Sequence, residues 1–123
     1  MILVDTSVWI DHFRVADKAL VRSLQDRRVL AHPFVIGEIA LGNLRQRDLI
    51  LSLLQALPHA QVATHDEVLA FVGAHRLHGS GVGLVDAHLL ASVALTSGAR
   101  LWSRDRRLRE IAARMKLAAD LAD

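Results

Sequence analysis

The chain has 123 residues, which suits one domain spanning 1–123 with a single core. It has no cysteine, which excludes disulfides, thiolate metal ligands and thiol nucleophiles, so any metal must be held by oxygen or imidazole. The net charge is only +2, no run approaches the roughly 20 apolar residues of a membrane span, and no basic segment leads into a signal-length apolar stretch, so a soluble, cytoplasmic protein is expected.

In chain order, Ile2 to Val4 form an unalternated β-favouring run that meets Asp5, the pattern of a buried parallel strand ending at its carboxyl edge. Thr6 and Ser7 can each cap a following helix carrying Val8, Trp9, Ile10 and Phe13. A carboxylate at such a turn faces the crevice where open α/β sheets bind ligands, although Asp5 can equally serve as a helix cap. Asp17 caps a second helix over Lys18 to Gln25, and Val29 to His32 read as a second strand. Pro33 opens a helix through Glu38 to Leu41, with Gly42-Asn43 as a left-handed stop. A fourth helix over Arg47 to Ala56 halts before Pro58, and Ala60 to Ala63 read as a third strand. Thr64 and Glu67 form a capping box for the next helix.

The stretch from His78 to Gly83 is glycine-rich but neither follows a strand nor spells G-x-G-x-x-G, so it reads as a flexible approach to Asp86 rather than a nucleotide cradle. Leu84 to Leu95 is a helix apolar nearly all round, hence buried, and Gly98 ends it. Ala99 to Trp102 form a fourth strand, Arg106 to Arg114 a last helix and Leu117 to Ala119 an edge strand. Strands alternating with about seven helices predict an α/β fold around a parallel sheet of four to five strands, in the order 3-2-1-4-5. Winding then reverses between strands 1 and 4, which sets Asp5 beside Asp105.

Of the 13 acidic residues, most sit at helix starts, on exposed helix positions or in the tail. Four stand out. Glu38 lies among Val35, Ile36, Ile39, Ala40 and Leu41, where a charge is costly without a partner, and all four, with Asp5, Asp86 and Asp105, are expected at or within about a turn of the same sheet edge. Capping alone can account for Asp86 and Asp105 individually. Two carboxylates 4 Å apart repel by about 4 kcal/mol at an effective dielectric near 20, so four together require protonation or cations. Arg104 and Arg106 flank Asp105 and can offset part of its charge. Oxygen-only ligands suit Mg²⁺ or Mn²⁺, which can activate water and stabilise a leaving phosphodiester oxygen. Arg100, Arg104, Arg106, Arg107, Arg109, Arg114 and Lys116 crowd the last quarter of a chain of pI 9.9, which suits a polyanion such as RNA; a solvated face paired through Arg106, Glu110 and Arg114 is the plainer reading.

The run Asp5-Thr6-Ser7 after an apolar strand, Glu38 in Pro-Phe-Val-Ile-Gly-Glu-Ile-Ala-Leu-Gly-Asn-Leu, Asp86 in Gly-Val-Gly-Leu-Val-Asp-Ala-His-Leu-Leu-Ala-Ser and Leu-Trp-Ser103-Arg104-Asp105-Arg106-Arg107-Leu together resemble the PIN-domain ribonucleases. Within them the likeness is to the VapC toxins of bacterial toxin–antitoxin pairs, and it covers essentially the whole chain. The resemblance implies Asp5, Glu38, Asp86 and Asp105 as the acidic catalytic and metal-binding set, with Thr6, Ser7 and Ser103 as supporting hydroxyls. It further implies Mg²⁺-dependent endonucleolytic cleavage of RNA, a cognate VapB antitoxin, a homodimer, and contact with operator DNA only through the antitoxin complex.

Two other classes compete. A phosphotransfer domain would use Asp5 as nucleophile or acidic pocket, yet Ser7 stands where a dehalogenase-like nucleophile has a second Asp, and neither Glu38 nor Asp86 has a place in that scheme. A non-catalytic binding module has no reason to retain four mutually repelling acids. The seven histidines include no His-Glu-x-x-His pattern; His75 and His78 lie one turn apart without it, and His88 reads as packing. Trp9 and Trp102 lie in apolar stretches and read as core rather than base-stacking platforms.

Overall fold

The computed structural model describes residues 1–121. Three parallel strands, β1 (Ile2–Val4), β2 (Val29–Leu30) and β3 (Arg100–Trp102), lie in the order β2-β1-β3. Seven helices surround them among the described residues: α1 (Thr6–Arg14), α2 (Lys18–Gln25), α3 (Pro33–Leu41), α4 (Arg47–Ala56), α5 (His65–Ala74), α6 (Leu84–Leu95) and α7 (Arg106–Arg114). Several boundaries are written in local chemistry. The Asp17 carboxylate accepts the Leu20 N–H at 2.9 Å to start α2, and Thr64 and Glu67 exchange bonds of 2.8 and 3.1 Å in a capping box for α5. At α1 the cap is Asp5 itself, with Thr6 already helical.

The four to five strands expected from sequence reduce to three. In place of the outer two strands stand single parallel bridges, Ala31 to His59 beside β2, one residue ahead of the expected Ala60–Ala63 strand, and Leu101 to Ala118 beside β3, within the expected edge segment. Beyond Ala60, whose N–H still donates to the Ala31 carbonyl at 3.0 Å, the backbone turns to side chains instead of a ladder: the Gln61 N–H donates to Thr96 Oγ1 and the Ala63 N–H to Ser92 Oγ. Gly42 also departs from expectation, with φ −80 in place of a left-handed stop; the left-handed residue is Gln46, just before α4.

β1 is buried along its whole length, and Leu3, Val4, Val8, Leu20, Ile39, Leu89, Leu90 and Leu108 form the centre of the core. Each such side chain contributes about 1.5–3 kcal/mol by leaving water. As its pattern predicts, α6 is buried continuously from Ala87 to Val93. Small residues on it, Ala87 and Ala91, let Val68 of α5 pack closely. Among the described residues no helix is long and apolar enough to cross a membrane.

Candidate metal centre

The site is built where β1 and β3 end together. Their pairing closes with the Asp5 N–H donating to the Trp102 carbonyl at 2.9 Å, so the residues that follow each strand are forced side by side. Asp5 is buried, 6% exposed, and its carboxylate accepts three bonds: from the Thr6 N–H at 2.8 Å, the Ser7 hydroxyl at 2.9 Å and the Ser103 hydroxyl at 2.7 Å. The same hydroxyl oxygens accept in turn, Ser7 from the Arg104 N–H and Ser103 from the Asp105 N–H, both at 3.0 Å. A carboxylate offers about four lone-pair directions, so one remains for a cation.

Glu38 projects from α3 into solvent, contrary to the sequence expectation of a charge confined among apolar neighbours. Val35, Ile36 and Ile39 turn inward and are buried, Leu41 faces solvent, and Glu38 receives the Thr6 hydroxyl at 2.8 Å. Asp105 is exposed and caps α7 by accepting the Leu108 N–H at 2.9 Å, so it both caps and faces the site. Asp86, in the first turn of α6, is half-buried. Burial first, then the charges of Asp5, Asp105 and Glu38, push its carboxyl up to about 6 from 3.8, opposed only by a bond from the Gly83 backbone. Four acids drawn from β1–α1, α3, α6 and β3–α7 thus share one field.

Nearby cations do not quench that field. Arg104 turns away to Asp11 at 2.6 Å and to Asp17, and Arg106 pairs along α7 with Glu110 at 3.1 Å. The offset of Asp105 expected from its two flanking arginines is therefore not realised. Sequence reasoning missed the Arg104 partners because nothing in the spacing of Asp11 and Asp17 announces a contact with a residue roughly 90 positions later; their approach depends on the β1–β3 pairing. Arg107 is exposed, and its guanidinium lies against Gly81.

Among the described residues no three His, Cys, Asp or Glu side chains form a ready-made coordination cage. The donor set nonetheless fits a hard cation such as Mg²⁺, which takes one or two carboxylates and keeps several waters. Of the histidines, His75 packs on Phe71 at 4.4 Å and His88 is buried beside Phe34 at 4.6 Å. Trp9 is core, whereas Trp102 lines a groove of about 1140 Å³ between α2 and α7 that opens beside Ser103 and Arg104.

The family profile described as PIN domain matches residues 2–114. Two proteins named Ribonuclease VapC32, from Mycobacterium tuberculosis strains CDC 1551 / Oshkosh and ATCC 25618 / H37Rv, are each 57% identical over 118 residues, covering 96% of this chain and 95% of the relative. With the acid-bearing turns at one end of a parallel sheet, these matches establish that the chain belongs to the PIN-domain family, in its VapC branch.

Proposed function

We propose that this protein is a Mg²⁺-dependent endoribonuclease, with Mn²⁺ as a possible substitute, and the toxin of a toxin–antitoxin pair. The observation that carries the reading is Asp86: a half-buried carboxyl pushed up to about 6 by burial first and then by the charges of Asp5, Asp105 and Glu38 marks an anionic pocket that a cation would relieve. The two curated relatives bear the name ribonuclease, in keeping with this chemistry. Bound metal would lower the pKa of a water and neutralise charge on a phosphodiester in transit.

The protein's own part is positional. Asp5, Glu38, Asp86 and Asp105 supply the oxygens. Ser7 and Ser103 fix the direction of Asp5, and Thr6 fixes Glu38. Below about pH 6 Asp86 holds a proton that would compete with a cation for the same oxygens. Arg106 and Arg107, exposed on the first turn of α7, are placed to meet the RNA backbone, whereas Arg104 serves the fold through Asp11 and Asp17.

The reading extends to a cognate VapB antitoxin that blocks the site, a homodimer, operator DNA reached only through the antitoxin complex, and a cytoplasmic setting. Exposed Leu41, Leu49 and Leu53 on α3 and α4 supply apolar surface for such partners. The phosphotransfer alternative suits the geometry less well, because a buried Asp5 with three donors on its oxygens is poorly placed for in-line attack.

The test is cleavage of labelled RNA by purified protein with Mg²⁺, with excess EDTA, and by Asp86→Asn and Asp5→Ala. Cleavage confined to wild type with metal is expected. Equal cleavage by all three proteins, or none by any, would overturn the assignment.

A further inference from the structure

Gly81 lies in the loop before α6 with φ +86, a backbone conformation that residues with a Cβ rarely adopt. A second constraint acts at the same place. The Arg107 side chain lies across the glycine, so that a Cβ there would collide with a terminal guanidinium nitrogen and stand 3.0 Å from Cζ and 3.2 Å from Cδ. The absent side chain of one residue is the resting place of another.

That contact joins the two halves of the acidic rim. Gly81 is five residues ahead of Asp86, in the loop that leads into α6, and Arg107 is two residues past Asp105. Arg107 is exposed and makes no ion pair among the described residues, unlike Arg104 and Arg106 on either side of Asp105. A guanidinium is planar and matches phosphate oxygens in pairs. Resting against the Gly81 backbone, it has already given up part of the rotamer freedom that binding would otherwise cost.

We infer that Arg107, held in place by Gly81, is the clamp for a backbone phosphate of the substrate strand next to the bond that is cut. The inference rests on the ribonuclease reading and adds to it a named residue, a named seat and a ligand class. Any other residue at position 81 displaces the guanidinium without removing its charge. Arg107 is thus a binding residue, and Gly81 a positioning residue that acts through it.

The experiment compares wild type with Arg107→Gln, Arg107→Lys, Gly81→Ala and the Arg107→Gln/Gly81→Ala double variant. Thermal melts establish that each is folded. A fluorescein-labelled pool of randomised single-stranded RNA serves for binding across a salt series with Ca²⁺ in place of Mg²⁺, and for cleavage with Mg²⁺. Arg107→Gln is expected to bind about tenfold more weakly and raise KM more than it lowers kcat. Losing one phosphate contact also flattens the slope of log affinity against log salt by about 0.7. Arg107→Lys recovers the slope but only part of the affinity, because an ammonium is a point charge. Gly81→Ala weakens binding severalfold on its own and adds nothing to Arg107→Gln.

Arg107→Gln with the affinity, slope and KM of wild type would overturn the inference, as would fully additive effects of Gly81→Ala and Arg107→Gln. Failure of the underlying reading has a different mark: wild type itself then leaves the RNA uncut in Mg²⁺.

Discussion

Thr6 and Glu38, 32 positions apart, meet through a 2.8 Å hydrogen bond in which the Thr6 hydroxyl donates to the Glu38 carboxylate. The bond ties α3 to the first turn of α1 and gives an otherwise free, exposed side chain one orientation beside Asp5. Thr6→Val keeps the shape and removes the donor. Metal-site partners of this kind are worth roughly 10–100-fold in affinity, so Mn²⁺ titrated calorimetrically into the variant is expected to bind at least several times more weakly, at unchanged melting temperature. Wild-type affinity would deny Thr6 any part in the site.

Asp86 bears the strain of the cluster, so neutralising it has two opposite effects. Asp86→Asn relieves repulsion with Asp5, Asp105 and Glu38, and the metal-free variant is expected to melt higher than wild type at pH 7.5. Adding Mg²⁺ should then raise the wild-type melting temperature far more than that of the variant. Equal metal shifts in the two proteins would remove Asp86 from the site.

The raised Asp86 carboxyl also sets a pH dependence. Between 3.8 and about 6 the folded protein holds a proton at Asp86 that the unfolded chain has lost, so this group's contribution to stability falls as pH rises through that window. Because the side chain is partly solvated, the expected loss is only on the order of 1 kcal/mol. It is best read as the difference between wild type and Asp86→Asn in metal-free urea melts from pH 4 to 7. Proton and metal compete for the same oxygens, so Mg²⁺ affinity should drop by up to about tenfold per pH unit below 6. A pH-independent affinity would contradict the assignment.

His32 works in the opposite sense. Fully buried, it accepts the Phe34 N–H on Nδ1 at 3.0 Å, which leaves Nε2 to donate to the Ser92 hydroxyl at 3.0 Å. Burial and then His88 and His59 push it down from 6.5 to about 4. Between those values the unfolded chain takes up a proton that the folded one refuses, so its contribution is lost as pH falls through 6.5 towards 4. Ser92→Ala strands the buried Nε2–H and should cost about 1–3 kcal/mol in urea melts at pH 7.5. A cost near zero would show that the bond carries no weight.

Arg104 has its charge matched inside the fold. Its guanidinium bridges Asp11 at the end of α1 to Asp17, the cap of α2, and its backbone N–H reaches Ser7. Arg104→Met is expected to lower stability by about 1 kcal/mol, as a partly exposed pair of bridges should, while leaving the salt dependence of RNA binding as in wild type. A flattened salt slope would instead restore Arg104 to the RNA-contacting surface.

Much of this was legible in the primary structure. The helix boundaries at Lys18–Gln25, Pro33–Leu41, Arg47–Ala56 and Arg106–Arg114 follow from caps, prolines and periodicity, which act within a few residues. The buried character of α6 was equally plain, since a helix apolar on every side has no face to give to water. The outer strands were overcounted because Ala60–Ala63 and Leu117–Ala119 have strand-like composition, while ladder length depends on partners that sequence does not display. At the site, Asp5, Glu38 and Asp86 were conspicuous for lacking a basic neighbour in sequence, but the outward turn of Glu38, the Arg104 bridges and the seat of Arg107 on Gly81 arise only from tertiary packing.

The Ser103 hydroxyl that orients Asp5 lies 98 positions further along the chain. The aim of the first acid is therefore hostage to the docking of β3 on β1, a nonlocal step that closes nearly the whole polypeptide into a loop. Should that strand fray, Asp5 loses both the Ser103 donor on its carboxylate and the Trp102 carbonyl that its backbone N–H meets. The direction of this carboxylate is therefore a property of the finished fold and of no shorter segment of the chain.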